Sequence, residues 1–423
     1  MKILLIITNS GDKFYCSNCF RDNLQAQALR KAGHEVVIMP VYLPLTDKSF
    51  RADTPVFFPA TSYYVAQKFF RKGKMPRLFE KILDAPPLLR IASSFSGTTS
   101  AKGMEQMTLS MINGEDENFA KQIEKLIDWI VNHDRFDVIH LSTSLLIGIA
   151  KTIKNRVNIP IVCSLQDEEI WLDGLESQYA REAWESIGEN SKYIDRVITS
   201  SEFYKAVAFR KVPVIKKIDV IYPGANIEKY KSFDYPKQPT IGFYYRMNYE
   251  NGLDILAQSF VKLKKENVIP DLKLKIGGGY TRENKSFVHR IQTILRPYAR
   301  DVIWSDNYSL DEHPNFYKDI SLICTPLRFN EAFGLYLCEA FAAGRPAVVP
   351  NTGSFSEVIG NAGLLYPPHH NEQLTETLKK MLTNNDIYEK CKENAIQLSQ
   401  EKYNDIVVAE NLLKIYCKLG VVK

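Results

Sequence analysis

The segment Glu331-Ala332-Phe333-Gly334-Leu335-Tyr336-Leu337-Cys338-Glu339 sets two carboxylates eight positions apart across a loop-to-helix junction. Gly344 stands where a helix-terminating glycine belongs and Pro346 forbids continuation, so the spacing predicts a helix from about Gly334 to Ala343. Glu331 then lies at the mouth of that helix, beside the first-turn amides of Phe333 to Tyr336. Such amides bind anions, a diphosphate among them. Glu339 follows roughly 12 Å along the axis, at 1.5 Å per residue. Carboxylates at that spread, with amides between, suit a ligand bearing a sugar at one end and a ribose at the other. Two solvated glutamates on an amphipathic helix have the same spacing, so the pair alone does not decide.

Other residues are placed for chemistry. Arg246 directly follows the strand expected at Thr240 to Tyr245, where ligand-binding loops leave parallel sheets. Its guanidinium fork suits a departing diphosphate. Gly277-Gly278-Gly279 follows a strand at Leu272 to Ile276 and permits close backbone approach, although a tight turn explains it equally well. In the first half, His140 ends a strand at Asp137 to Leu141, as a packed residue or a catalytic one. Gln166 and Asp167 end the next, at Pro160 to Ser164. A glutamine there can hydrogen-bond a sugar hydroxyl but cannot shuttle a proton. Cys16-Ser17-Asn18-Cys19 occupies the first β–α loop. It reads as a packing pair, half a metal site, or a redox-sensitive loop gating the acceptor site.

The elements that position these groups alternate. Lys2 to Thr8 is a continuous apolar run, a buried parallel strand. A helix over Arg21 to Ala32 stops at Gly33 and returns as a strand from Glu35 to Pro40, a β–α–β unit. Asp195 to Ser200 adds a strand. The basic, turn-rich stretch from Arg210 to Asp219, then Tyr222-Pro223-Gly224-Ala225-Asn226, reads as a linker. Beyond it come the strand ending at Tyr245, a helix over Leu253 to Lys265, and strands at Leu272 to Ile276, Val302 to Ser305 and Ser321 to Cys324. A last helix spans about Asn404 to Leu419. Such alternation implies parallel sheets.

The run EAFGLYLCEAFAAGRPAVV resembles the family-4 retaining glycosyltransferases, whose signature joins Glu-x7-Glu, a Phe-Gly pair and Glu-Ala-x-Ala-x-Gly-x-Pro. The likeness continues through Asn351 to Ser354, Glu357 to Ile359 and Gly363 to Pro367, and reaches back to Lys31 to Ile38. From about 45 to 130 no family-wide match is found. The resemblance implies an α/β fold with two Rossmann-like parallel-sheet domains facing across a cleft, the GT-B architecture. An acceptor domain would take 1–215, with the helix 404–419 packing back onto it, and a donor domain 216–403.

It further implies a retaining, metal-independent transferase with no cofactor. A sugar would move from a nucleotide-diphosphate donor to a glycan or lipid-linked acceptor, in cell-envelope or polysaccharide synthesis. Glu331 and Arg246 would be catalytic; Glu339, Ala332, Phe333, Gly334, Leu335, Gly277 and Gly279 would bind donor. Cys16, Cys19, His140, Gln166 and Asp167 are the acceptor-side candidates. The family follows its arginine five residues later with lysine; here Asn251 stands there, and Arg328 is the candidate second cation on the donor. Gln166 replaces a frequent histidine, and the Cys16–Cys19 loop is atypical.

Composition bounds the rest. The 423 residues, 45% hydrophobic and 24% charged, suit a globular chain of two or three domains. A net charge of +5 is too mild to argue for nucleic acid. Seven cysteines on a long chain do not make a secreted disulfide framework, so the expected compartment is cytoplasmic. Tyr63 to Lys81 interleaves aromatics with lysines and arginines, a candidate for peripheral contact with an anionic membrane. Two rivals stand beside the transferase reading. One is a nucleotide-sugar-binding module that has lost activity, suggested by Asn251 and Gln166. The other is a dinucleotide oxidoreductase, disfavoured because Asn9 to Cys19 carries no Gly-x-Gly-x-x-Gly.

Overall fold

The computed structural model describes residues 1–8, 15–41, 54, 101, 103–114, 117–133, 135–230, 233–234, 236–305 and 311–420. The membrane-contact candidate at 63–81 lies outside them. Continuous apolar runs form strands buried on both faces. The first lobe contains β1 (Lys2–Ile7), β2 (Glu35–Pro40), β3 (Val138–Leu141), β4 (Ile161–Leu165), β5 (Arg196–Thr199) and β6 (Ile218–Val220). All neighbours are parallel, in the order β2-β1-β3-β4-β5-β6. The second contains β7 (Thr240–Tyr244), β8 (Lys273–Gly277), β9 (Val302–Trp304), β10 (Leu322–Cys324), β11 (Ala347–Pro350) and β12 (Gly363–Tyr366). Its order is β12-β11-β10-β7-β8-β9, again parallel throughout.

Both orders reverse direction beside the lobe's first strand, between β1 and β3 and between β7 and β10. Loops leaving such a pair diverge to opposite faces and open a crevice at the strand C-termini. The loops after β1, β7 and β10 carry Cys16, Arg246 and Glu331, so topology alone gathers the candidate groups at two switch points.

Two expectations are corrected. The stretch read as a linker contributes β6, whose Ile218 pairs with Val197, so the first sheet runs past the expected boundary at 215. The first helix spans Ser17–Lys31, four residues earlier than its periodicity suggested. Cys16 caps it by accepting from the Cys19 amide, and Arg21, Asp22, Asn23 and Gln25 are all buried, which erases the apolar stripe.

The final helix, Asp405–Cys417, crosses back to the first lobe. Val408, Leu412 and Tyr416 join Ile3, Leu5, Ala28 and Ile198 in one core. The crossing is clamped at the hinge: the Ala225 amide donates to Tyr403 O at 3.0 Å and the Asp405 amide to Ala225 O at 3.0 Å. Gly224 makes room for it, since a Cβ there would meet Asn404 O at 2.6 Å. Leu412 is fully buried in this seam. Leu412→Ala is expected to destabilise the chain by about 2–5 kcal/mol, read from the denaturation midpoint; a loss below 1 kcal/mol would show that the helix is not part of the first lobe's core.

Candidate functional site

A crevice between the lobes is lined by Ser17, Asn18 and Arg21 from the first helix, by Gln166 and Asp167 after β4, and by Glu331 to Leu335 from the second lobe. The expected helix is present over Leu335–Ala342, headed by Gly334 in a left-handed conformation at φ 88° and with no side-chain cap. Its first turn therefore opens onto the crevice. Gly353 lets the Glu331 loop sit close, because a Cβ there would come within 2.6 Å of the Glu331 backbone.

Glu331 is 4% exposed. Its Oε2 accepts from the Tyr245 hydroxyl at 3.1 Å. The nearby backbone of Phe333 and Ala332 also favours the charged carboxylate. Burial, followed by the nearby Asp167 charge, raises the carboxyl to about 7 against the pull of these donors. Arg246, next to Tyr245, is largely buried, and desolvation lowers its basicity while Tyr245, Asp167 and Glu283 counter it.

Asn251, in the position expected to hold a lysine, donates from Nδ2 to Arg246 O at 2.6 Å. It organises the loop and supplies no charge. The candidate substitute, Arg328, grips both Asp254 oxygens at 2.8 Å and stacks over Tyr249 at 3.8 Å. The glycine triplet gains a physical reason: a Cβ on Gly277 would meet the Tyr244 ring at 2.7 Å, and one on Gly278 the Tyr245 carbonyl at 2.4 Å. Gly279 O accepts the Met247 amide at 2.8 Å, which ties the triplet to the Arg246 loop. Glu339 lies inward at 1% exposure, accepting from His313 Nδ1 at 2.7 Å and the Tyr317 hydroxyl at 2.9 Å.

On the first-lobe wall, Asn18 Nδ2 donates to Asp167 Oδ1 at 2.7 Å. Gln166 Nε2 donates to Ser142 O and, at 3.3 Å, to Asp22. Burial raises Asp22 to about 7, although Arg21 pairs with it at 3.1 Å. Glu168, unremarked in the sequence, ties three strand exits together. It accepts from the Thr143 hydroxyl at 2.8 Å, the Ser144 amide at 3.0 Å, the Gln166 amide at 2.7 Å and the Tyr204 hydroxyl at 2.9 Å. Its place just after Gln166-Asp167 was the available signal. His140 is a further correction. It is buried between the Tyr416 hydroxyl and Ser164 Oγ, both at 2.8 Å, and burial pushes it down to about 3. It is a neutral strut under the final helix, outside the residues lining the crevice. Cys16 and Cys19 form a disulfide beside the crevice, and Cys163 is buried and free. Among the described residues no cluster could hold a metal ion.

The lobes meet through specific bonds next to Glu331. Ser201 Oγ donates to Ala332 O at 2.6 Å. Glu357 accepts the Glu202 and Phe203 amides at 2.8 and 2.9 Å, capping a helix of the other lobe.

Residues 226–398 match the family model described as Glycosyl transferases group 1. The uncharacterized glycosyltransferase MJ1607 of Methanocaldococcus jannaschii is 24% identical over 317 residues, 70% of this chain and 79% of that protein. The sucrose-phosphate synthase structure from Thermosynechococcus elongatus superposes with a TM-score of 0.71 at 16% identity, covering 100% of both chains. Anabaena HepE, solved with UDP and glucose, gives 0.64 at 14% identity over 99% of each. The fold is GT-B. Fold and sequence likeness together support a glycosyltransferase.

Raised carboxyls give a sign to the pH dependence. Folded Glu331 keeps a proton that the unfolded chain, with an ordinary value of 4.5, has already released. Stability therefore falls as pH rises from about 4.5 to about 7. Glu331→Gln is expected to lose less stability than wild type between pH 5 and pH 8, by up to roughly 3 kcal/mol, in urea denaturation at both values. Equal losses would place Glu331 in water.

Proposed function

We propose that the protein is a retaining, metal-independent glycosyltransferase that moves a sugar from a nucleotide-diphosphate donor to an acceptor hydroxyl. The observation that carries this is Glu331: a buried carboxylate at the head of an uncapped helix, across a crevice from Asn18 and Asp167. Glu331 accepts hydroxyls of the transferred sugar. The helix-head amides of Gly334 and Leu335 meet the phosphates. Arg246 carries the charge that develops on the departing diphosphate, and Glu339 accepts from the ribose. The acceptor enters along the wall built by Asn18, Gln166 and Asp167.

His140 is sequestered, and Gln166 cannot take a proton. As the resemblance to retaining transferases implies, the acceptor hydroxyl loses its proton to the departing phosphate on the same face of the sugar, which preserves anomeric configuration. A carbohydrate or lipid-linked acceptor in envelope or polysaccharide synthesis fits a wall of paired polar groups. The UDP and glucose bound by the Anabaena neighbour support a nucleotide-sugar donor here. No described helix is long and apolar enough to cross a membrane.

Glu331→Ala and Arg246→Ala are each expected to lower turnover about 10²–10³-fold, with circular dichroism unchanged and activity insensitive to EDTA. The assay uses a panel of UDP-, GDP- and ADP-sugars with a mixed glycan acceptor set, and hydrolysis of the donor counts as turnover. Near-normal rates in both variants would refute the assignment. Wild-type protein that binds a donor and turns nothing over would identify a binding module instead.

A further inference from the structure

The Cys16–Cys19 bridge is unused by the transfer chemistry, yet it adjoins a contact between the lobes. Tyr15, immediately before it, donates its amide to Gly278 O of the second lobe at 2.7 Å. The Tyr15 ring, 3% exposed, sits 5.4 Å from Tyr244, 5.5 Å from Tyr245 and 5.6 Å from His313. Phe20, just past the bridge, meets His313 edge-on at 4.6 Å. His313 in turn holds Glu339. Two aromatics of one lobe are thus packed against His313, one anchor of the acid assigned to the ribose.

The fit is incomplete. The Tyr15 hydroxyl is buried with no hydrogen-bond partner among the described residues. Burial, followed by the Glu339 charge, pushes this phenol well above its ordinary range, so it stays a neutral hydroxyl there. An unmet buried hydroxyl costs about 1–3 kcal/mol, which makes this seating displaceable by a better-matched group. A ribose offers Glu339 and its neighbours two adjacent hydroxyls where Tyr15 offers a ring.

We propose that Tyr15, tethered by the Cys16–Cys19 disulfide, is a displaceable cover over the nucleoside end of the donor site, and that the redox state of the bridge sets donor affinity. This rests on the reading of Glu339 as the ribose acceptor. A dithiol reductant of the thioredoxin class supplies two electrons and two protons: the Cys16–Cys19 S–S bond breaks to two thiols, and the reductant closes its own disulfide. With the bridge intact, Tyr15 is tied to the first turn of the helix. Once the bridge is open, the uncovered state gains chain entropy and the donor competes against a weaker cover.

The test measures Kd for UDP, GDP and ADP by calorimetry on the full chain, oxidised and after dithiothreitol. Tyr15→Ala is expected to bind its preferred diphosphate at least threefold more tightly than the oxidised wild type. Tyr15→Phe keeps the ring, removes the unmet hydroxyl and should bind more weakly. Reduction should shift wild type toward Tyr15→Ala and leave the Cys16→Ser/Cys19→Ser double variant unmoved. Equal affinities for wild type and Tyr15→Ala overturn the cover; an equal response to reductant in the double variant overturns the redox control. Glu339→Ala separates the two readings. Lost binding there without a Tyr15 effect sinks only the cover, whereas unchanged binding sinks the ribose assignment. If no diphosphate binds any variant, both fall.

Discussion

Taking a carboxylate out of water between two lobes is the constraint on which this structure turns. Glu331 keeps the Tyr245 hydroxyl as a donor, yet burial and the Asp167 charge still raise its carboxyl to about 7. A sugar hydroxyl arriving in the crevice adds a donor to the charged form and relieves that cost. On the proposed reading, ligand binding and ionisation of Glu331 are coupled. Every group that shapes the crevice acts on this balance: Ser201 holds Ala332, Gly353 admits the loop, and Asn18 orients Asp167.

The two sheets make such a site hard to avoid. Each reverses strand order beside its first strand, and the loops diverging there supply the helix head on one side and Ser17, Asn18 and Arg21 on the other. Glu168 then draws the exits of β3 and β4 and the helix after β5 to one carboxylate. A buried acid with four donors is costly to disturb, which holds this wall in place.

Much of this was legible in the residues. Lys2–Ile7 and Glu35–Pro40 read as strands because buried parallel strands are apolar on both faces. The Leu335–Ala342 helix read correctly because Gly344 and Pro346 mark its end. What was missed has physical reasons. β6 is a three-residue edge strand following two lysines, too short and polar to show a pattern. The first helix buries Arg21, Asp22 and Gln25 against a polar crevice, so no periodicity announces its start. His140 and Arg328 looked chemical by type and position; the sequence gives no sign of their partners, Tyr416 with Ser164 and Asp254 with Tyr249. No sequence pattern encodes which lobe a tyrosine will lean against, and Tyr15 leans across.

The central claim is that Glu331 ionises as it grips the donor sugar. Calorimetric titration with the nucleotide sugar that the protein turns over, at pH 7 in buffers of different ionisation enthalpy, counts the protons released on binding. The donor's own diphosphate does not titrate there, so the account expects a fraction of one proton released by wild type and markedly less by Glu331→Gln. Identical proton release from the two proteins would contradict it.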